Sequence, residues 1–155
     1  MPDVTEGSKA PAFDMATADG GRVSLDALKG RKVVIYFYPK ADTPGCTTEG
    51  QDFSARIAEF EQAGATVIGV SRDPVKKLER FRAKYDLQVV LASDEPEDVT
   101  EAFGVWVEKR LYGREYMGIE RATFLIDGSG IVRQVWRKVS VKGHADEVLA
   151  ATKTL

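Results

Sequence analysis

Two apolar runs constrain this chain most. KVVIYFYP, from Lys32 to Pro39, and ATVIGVSRD, from Ala65 to Asp73, are rich in β-branched and aromatic residues. Both have strand length, and both read as buried strands. Between them Phe53, Ile57 and Phe60 recur at helical spacing, and Gly64 is placed to end that helix. Two strands joined through a helix run parallel. Asp73 then predicts an N-cap, with Pro74 in the first turn of a second helix whose apolar face is Leu78, Phe81 and Tyr85. QVVLASDEPEDVTEAFGV predicts a short strand, an acidic turn and a short helix. ATFLIDGSGIVRQVWRKV predicts a hairpin turning at DGSG, and KGHADEVLAATKTL predicts a closing amphipathic helix. The order β-α-β-α-β-α-β-β-α predicts an α/β fold: a central mixed β-sheet with an antiparallel edge, flanked by helices on both faces. The mixed-charge segment from Val107 to Arg121 reads as a loop.

A chain of 155 residues has single-domain size, so one domain is expected over 1–155. Its formal net charge of -2, without a basic stripe, gives nucleic-acid or anionic-membrane binding no electrostatic support. VKKLERFRAKY, from Val75 to Tyr85, mixes its basic residues with Glu79 and helically spaced apolar residues, and reads as a solvated helix face. No apolar run approaches membrane-spanning length. MPDVTEGSKAPAFD has neither an apolar signal core nor a basic leader. A single cysteine, Cys46, permits no internal disulfide. A cytoplasmic location is therefore expected. One cysteine and one histidine argue against a structural zinc site. SDEPEDVTE lacks the spacing of a calcium loop, and DGSG lacks the strand–loop–helix setting of a phosphate loop.

Cys46 stands just after the first buried strand and at the start of the following helix. Unpaired N–H groups and the positive end of the helix dipole meet there. A thiol that ordinarily titrates near about 8.5 is more easily ionised in such a place. Pro44 is tolerated in a first turn, Gly45 lets the backbone come close, and the Thr43 hydroxyl can donate to a thiolate or a bound oxygen. Two readings stand at this point: a reactive thiol, or a small buried packing residue.

The stretch YFYPKADTPGCTTE decides between them. Pro39-x-x-x-Thr43-x-x-Cys46 matches the active-site motif of the peroxiredoxins and resembles their bacterioferritin comigratory protein, or peroxiredoxin Q, subgroup. GSKAPAFDMATADGGRVSLDALKGRKVVIYFYPK, GIERATFLIDGSGIVRQVW and KGHADEVL extend the resemblance over nearly the whole chain. It implies a thioredoxin-like fold and reduction of hydrogen peroxide and organic hydroperoxides, with no metal or organic cofactor. Cys46 matches the peroxidatic cysteine, which becomes a sulfenic acid. Thr43 matches the threonine that contacts peroxide and thiolate, and Pro39 the proline that shields the pocket. Arg121 matches the arginine that faces the cysteine, and Glu49 the acidic residue that holds that arginine. Taken singly, Arg121 also reads as a surface arginine before an edge strand, Glu49 as a first-turn glutamate and Thr43 as a turn residue.

Many peroxiredoxin Q proteins carry a resolving cysteine five residues after the first. Gln51 stands there in this chain. The resemblance therefore implies a one-cysteine cycle in which an external thiol (thioredoxin, glutaredoxin or glutathione) recycles Cys46, in a monomer or weak homodimer. An intermolecular Cys46–Cys46 disulfide is also open. A peroxide-sensing switch or chaperone-like binding protein on the same fold is the alternative function. His144 reads as a surface or packing residue rather than an acid–base group. Trp106 and Trp136 read as core or pocket-wall aromatics.

Overall fold

The computed structural model describes residues 4–155. Residues 1–3, part of the N-terminal stretch read above for targeting signals, lie outside the described residues. The two apolar runs form strands β3 (Lys32–Phe37) and β4 (Ala65–Ser71), which pair in parallel from Lys32↔Ala65 to Phe37↔Val70. Alternate side chains of β3 serve two cores. Val34 and Tyr36 join one apolar cluster, and Val33, Ile35 and Phe37 join the other. A strand buried on both faces loses the polar–apolar alternation of a surface strand, which explains its continuous apolar run.

β5 (Val90–Ser93) runs parallel to β4, while β8 (Ala122–Ile126) runs antiparallel to β3 and β9 (Val132–Trp136) antiparallel to β8. The expected hairpin turns at DGSG. There the Asp127 carboxylate accepts from the N–H groups of Ser129 and Ile131. Gly128 permits a close approach: a Cβ on it would sit 3.1 Å from the carbonyl carbon of Gly30. One hairpin was not expected. β1 (Asp14–Thr17) and β2 (Arg22–Ser24) pair with each other, and β1 joins β5. The seven-stranded sheet thus has the order β2-β1-β5-β4-β3-β8-β9.

Helices α1 (Pro44–Ala55), α2 (Ile57–Gln62), α3 (Val75–Tyr85) and α5 (His144–Lys153) contribute to the Val34 face of the sheet. The short α4 (Val99–Ala102), with Phe103 and Phe13, covers the other face. The α/β architecture with helices on both faces is as expected, but several details differ. The first long helix is broken at Arg56 (φ -110°, ψ 10°) into α1 and α2. Arg56 spans the break to α5, where its guanidinium donates to Asp146 at 2.5 and 3.2 Å. Gly64, at φ +80°, turns the chain out of α2 into β4.

Asp73 is not the cap of α3; Pro74 occupies that position. The Asp73 carboxylate instead accepts from the Ala41 N–H at 2.7 Å and the Ser71 hydroxyl at 2.8 Å. Asp94 holds the start of α4, accepting from the N–H groups of Val99 and Thr100 and from the Thr100 hydroxyl. The segment read as a loop is also ordered. β6 (Trp106–Leu111) and β7 (Arg114–Ile119) form a separate two-stranded hairpin. It turns at Tyr112 and Gly113, both at positive φ (51° and 75°). Beyond its buried root at Ile119 both faces meet water, so charges fall on both and hide the period of two.

Candidate active site

β3 brings the chain to Tyr38 and Pro39, and the link onward to α1 is held by other elements. Ala41 is tied to Asp73 as described. Asp42, at φ 63°, accepts from Tyr85 at 2.5 Å and Lys84 at 3.0 Å, both on α3. Those two bonds hold the Asp42 carboxyl below its usual range. Sequence reasoning gave neither aspartate this part. The only signal was the Asp73-Pro74 pair, which resembles a helix start equally well.

Thr43 is extended (φ -98°, ψ 156°) and stands at the N-cap of α1, with Pro44 as the first helical residue. Cys46 is therefore the third. The first intrahelical bond runs from the Thr47 N–H to the Thr43 carbonyl. The N–H groups of Gly45 and Cys46 precede it and have no acceptor within the helix. The Thr43 hydroxyl donates to the Lys40 carbonyl at 2.8 Å. With its hydrogen given to that carbonyl, the hydroxyl oxygen keeps lone pairs with which to accept. Pro39 is exposed beside this loop.

Cys46 is only 2% exposed. Arg121 lies 75 positions along the chain from it, and sheet register brings the two together. The pair Phe37↔Ala122 places Arg121 beside the end of β3, where the loop to α1 begins. One Arg121 nitrogen donates to the Cys46 Sγ at 3.3 Å and another to Glu49 Oε1 at 2.6 Å. Glu49 lies three residues beyond Cys46, about one turn on, so both face the guanidinium. Gly45 makes room: a Cβ there would approach Arg121 to 3.2 Å.

The electrostatics are those of a buried triad. Burial pushes the Glu49 carboxyl up to about 7 against the pull of Arg121. Glu49 is 1% exposed, and its second oxygen, Oε2, has no hydrogen-bond partner among the described residues. Burial works against the charge on Arg121, but Glu49 and Cys46 outweigh it and hold the guanidinium above its ordinary value. Burial also pushes the phenols of Tyr36 and Tyr38 up, so both stay neutral beside the sulfur.

His144 packs. It is buried edge-on between Phe53 and Trp136, with Nε2 2.8 Å from the Thr123 hydroxyl. Burial holds it below its ordinary value. Trp136 borders the same core, while Trp106 is half-buried beneath the Arg72 guanidinium, 3.5 Å from its ring centre. No cluster of metal-ligating side chains occurs among the described residues. No helix among them is long and apolar enough to cross a membrane.

A cysteine at a helix N-terminus with an arginine beside it is an arrangement suited to thiol redox chemistry. Comparison with known proteins narrows the class. The model of the AhpC/TSA family matches residues 7–135. Peroxiredoxin Bcp of Xanthomonas campestris is 50% identical over 155 residues, covering 99% of this chain and 97% of its own length. Peroxiredoxin Bcp of Bacillus subtilis is 45% identical, covering 96% and 95%. A structure of the Xanthomonas campestris bacterioferritin comigratory protein, described for its alkyl peroxide reduction activity, matches with a TM-score of 0.87 at 50% identity over 92% of this chain and 90% of that one. Xylella fastidiosa PrxQ, as a mutant, matches with a TM-score of 0.93 at 37% identity, covering 99% and 98%. The chain belongs to the AhpC/TSA family, in its bacterioferritin comigratory protein (peroxiredoxin Q) branch, and it has a single cysteine.

Proposed function

We propose that Cys46 is the nucleophile of this peroxidase, with Arg121 and Thr43 as its catalytic partners and Glu49 and Pro39 supporting them. The chain is a thiol-dependent peroxidase. The observation that carries the assignment of roles is the Arg121 guanidinium, 3.3 Å from the Cys46 sulfur and fixed from behind by Glu49.

The Cys46 thiolate attacks the terminal oxygen of a hydroperoxide. A sulfur–oxygen bond forms, the oxygen–oxygen bond breaks, and an alkoxide or hydroxide leaves and takes a proton from water. Arg121 and the first N–H groups of α1 stabilise the thiolate and the developing charge on the leaving oxygen. Thr43, its hydrogen already given to Lys40, accepts from the peroxide O–H. The sulfenic acid condenses with one external thiol, releasing water and leaving a mixed disulfide. A second thiol restores Cys46 and departs as a disulfide.

The alkyl peroxide reduction described for the Xanthomonas campestris relative supports organic hydroperoxides as substrates beside hydrogen peroxide. Thioredoxin, glutaredoxin or glutathione supplies the thiols to a cytoplasmic monomer or weak homodimer. Steady-state peroxide consumption compared across these three reductants tests this reading. Sustained turnover with at least one of them is expected. A single turnover with all three would favour the peroxide-sensing alternative.

A further inference from the structure

Lys109 lies on β6 opposite Tyr116 of β7 and is half-buried, between exposed Glu108 and Arg110. Its neighbours on the hairpin are paired: Arg110 with Glu115, and Glu120, just beyond β7, with Arg137. Lys109 makes no ion pair among the described residues. Its side chain lies across Gly118, where a Cβ would meet Lys109 Cδ at 3.2 Å and Cε at 3.4 Å. The missing side chain lets the lysine lean towards the root of the hairpin rather than its tip. That root runs directly into Arg121.

We propose that Lys109 is a second cation of the thiol site, whose ammonium acts through space to stabilise the anionic sulfur of Cys46 and the oxyanion released from the peroxide. The proposal rests on the assignment of Cys46 as nucleophile. Two cations side by side repel, and half-burial removes water that would screen them. Nearby negative charge relieves such a pair: Glu120 for Lys109, Glu49 for Arg121, and a thiolate at Cys46 for both. Burial and the charge of Arg121 both depress the Lys109 ammonium, while Cys46 and Glu120 work the other way.

The other titratable groups facing the sulfur are Tyr36 on β3, Tyr38 just beyond it and Glu49 on α1, together with Arg121. The two phenols are neutral, Glu49 opposes an anionic sulfur, and Arg121 divides its charge between Glu49 and Cys46. A second positive charge therefore has work that Arg121 alone does only in part.

The test is the pH profile of two Cys46 reactions, peroxide reduction and alkylation by a neutral haloacetamide. Each is measured in wild type, Lys109→Met, Lys109→Arg and Arg110→Met. Lys109→Met should move both profiles to higher pH and slow both reactions about three- to tenfold at neutral pH. Lys109→Arg, which keeps the charge, should restore the wild-type profile. Arg110→Met, on the opposite face of the hairpin, should leave it unchanged. A Lys109→Met profile that superimposes on wild type, or a Lys109→Arg variant as slow as Lys109→Met, overturns the proposal. If wild type consumes no peroxide at all, the assignment of Cys46 fails instead.

Discussion

At the scale of the residue, the site rests on one guanidinium shared by two acids. Glu49 binds its proton more tightly in the fold than its ordinary value of 4.5 implies, because burial pushes it to about 7. Its contribution to stability is therefore fully present below 4.5 and is lost as pH rises through about 7. The loss amounts to roughly 3 kcal/mol across that window. Glu49→Gln should remove this slope, so its stability advantage over wild type grows from acid to neutral pH in chemical denaturation. Parallel stability–pH curves for the two proteins would contradict it. The residues that were legible from sequence lie in one stretch: Pro39, Thr43 and Cys46 sit together between a strand and a helix. Arg121 had no such local signal. Only the pairing of β8 with β3 brings it to the sulfur, and sequence pattern carries no register over that distance. The family resemblance supplied Arg121 where periodicity did not.

At the scale of the element, α1 is fastened along its length. Phe53 is fully buried and stacks on Tyr36 at 4.6 Å. The Ser54 hydroxyl accepts from the Gln88 N–H at 2.8 Å, and Arg56 ties the end of the helix to α5. A cysteine at position 51 would rise about 7.5 Å along the helix from Cys46, near the limit for a disulfide without unwinding. Gln51 imposes no such demand. Peroxide-treated protein should therefore keep its hydrogen-exchange protection across α1, and large loss of protection from Cys46 to Phe60 would refute this. The elements read correctly were those with a strong period or a turn signature (β3, β4, α3, the DGSG hairpin and α5), together with the short β5 and α4. The two missed hairpins had weaker signals. β1 and β2 are only four and three residues long. β6 and β7 carry charge on both faces and turn at Tyr112-Gly113 rather than at a stronger turn pair.

At the scale of the whole molecule, one seven-stranded sheet divides the two apolar clusters, and β3 contributes to both. Loss of either cluster exposes half of the same strand. A single domain is proposed on that ground, and one cooperative transition, coincident by far-UV circular dichroism and tryptophan fluorescence, is expected. Two separated transitions would mean two independently folding units. The same arrangement sets the chemistry: the sheet fixes Arg121 against a cysteine that α1 holds almost out of solvent. The most direct test combines peroxide stoichiometry with mass spectrometry of Cys46. Without thiol, wild type should consume one equivalent of peroxide and gain one oxygen at Cys46. With the effective reductant it should turn over repeatedly, and Cys46→Ser should do neither. Full peroxide consumption by Cys46→Ser, or oxidation of wild type elsewhere than Cys46, would contradict the account.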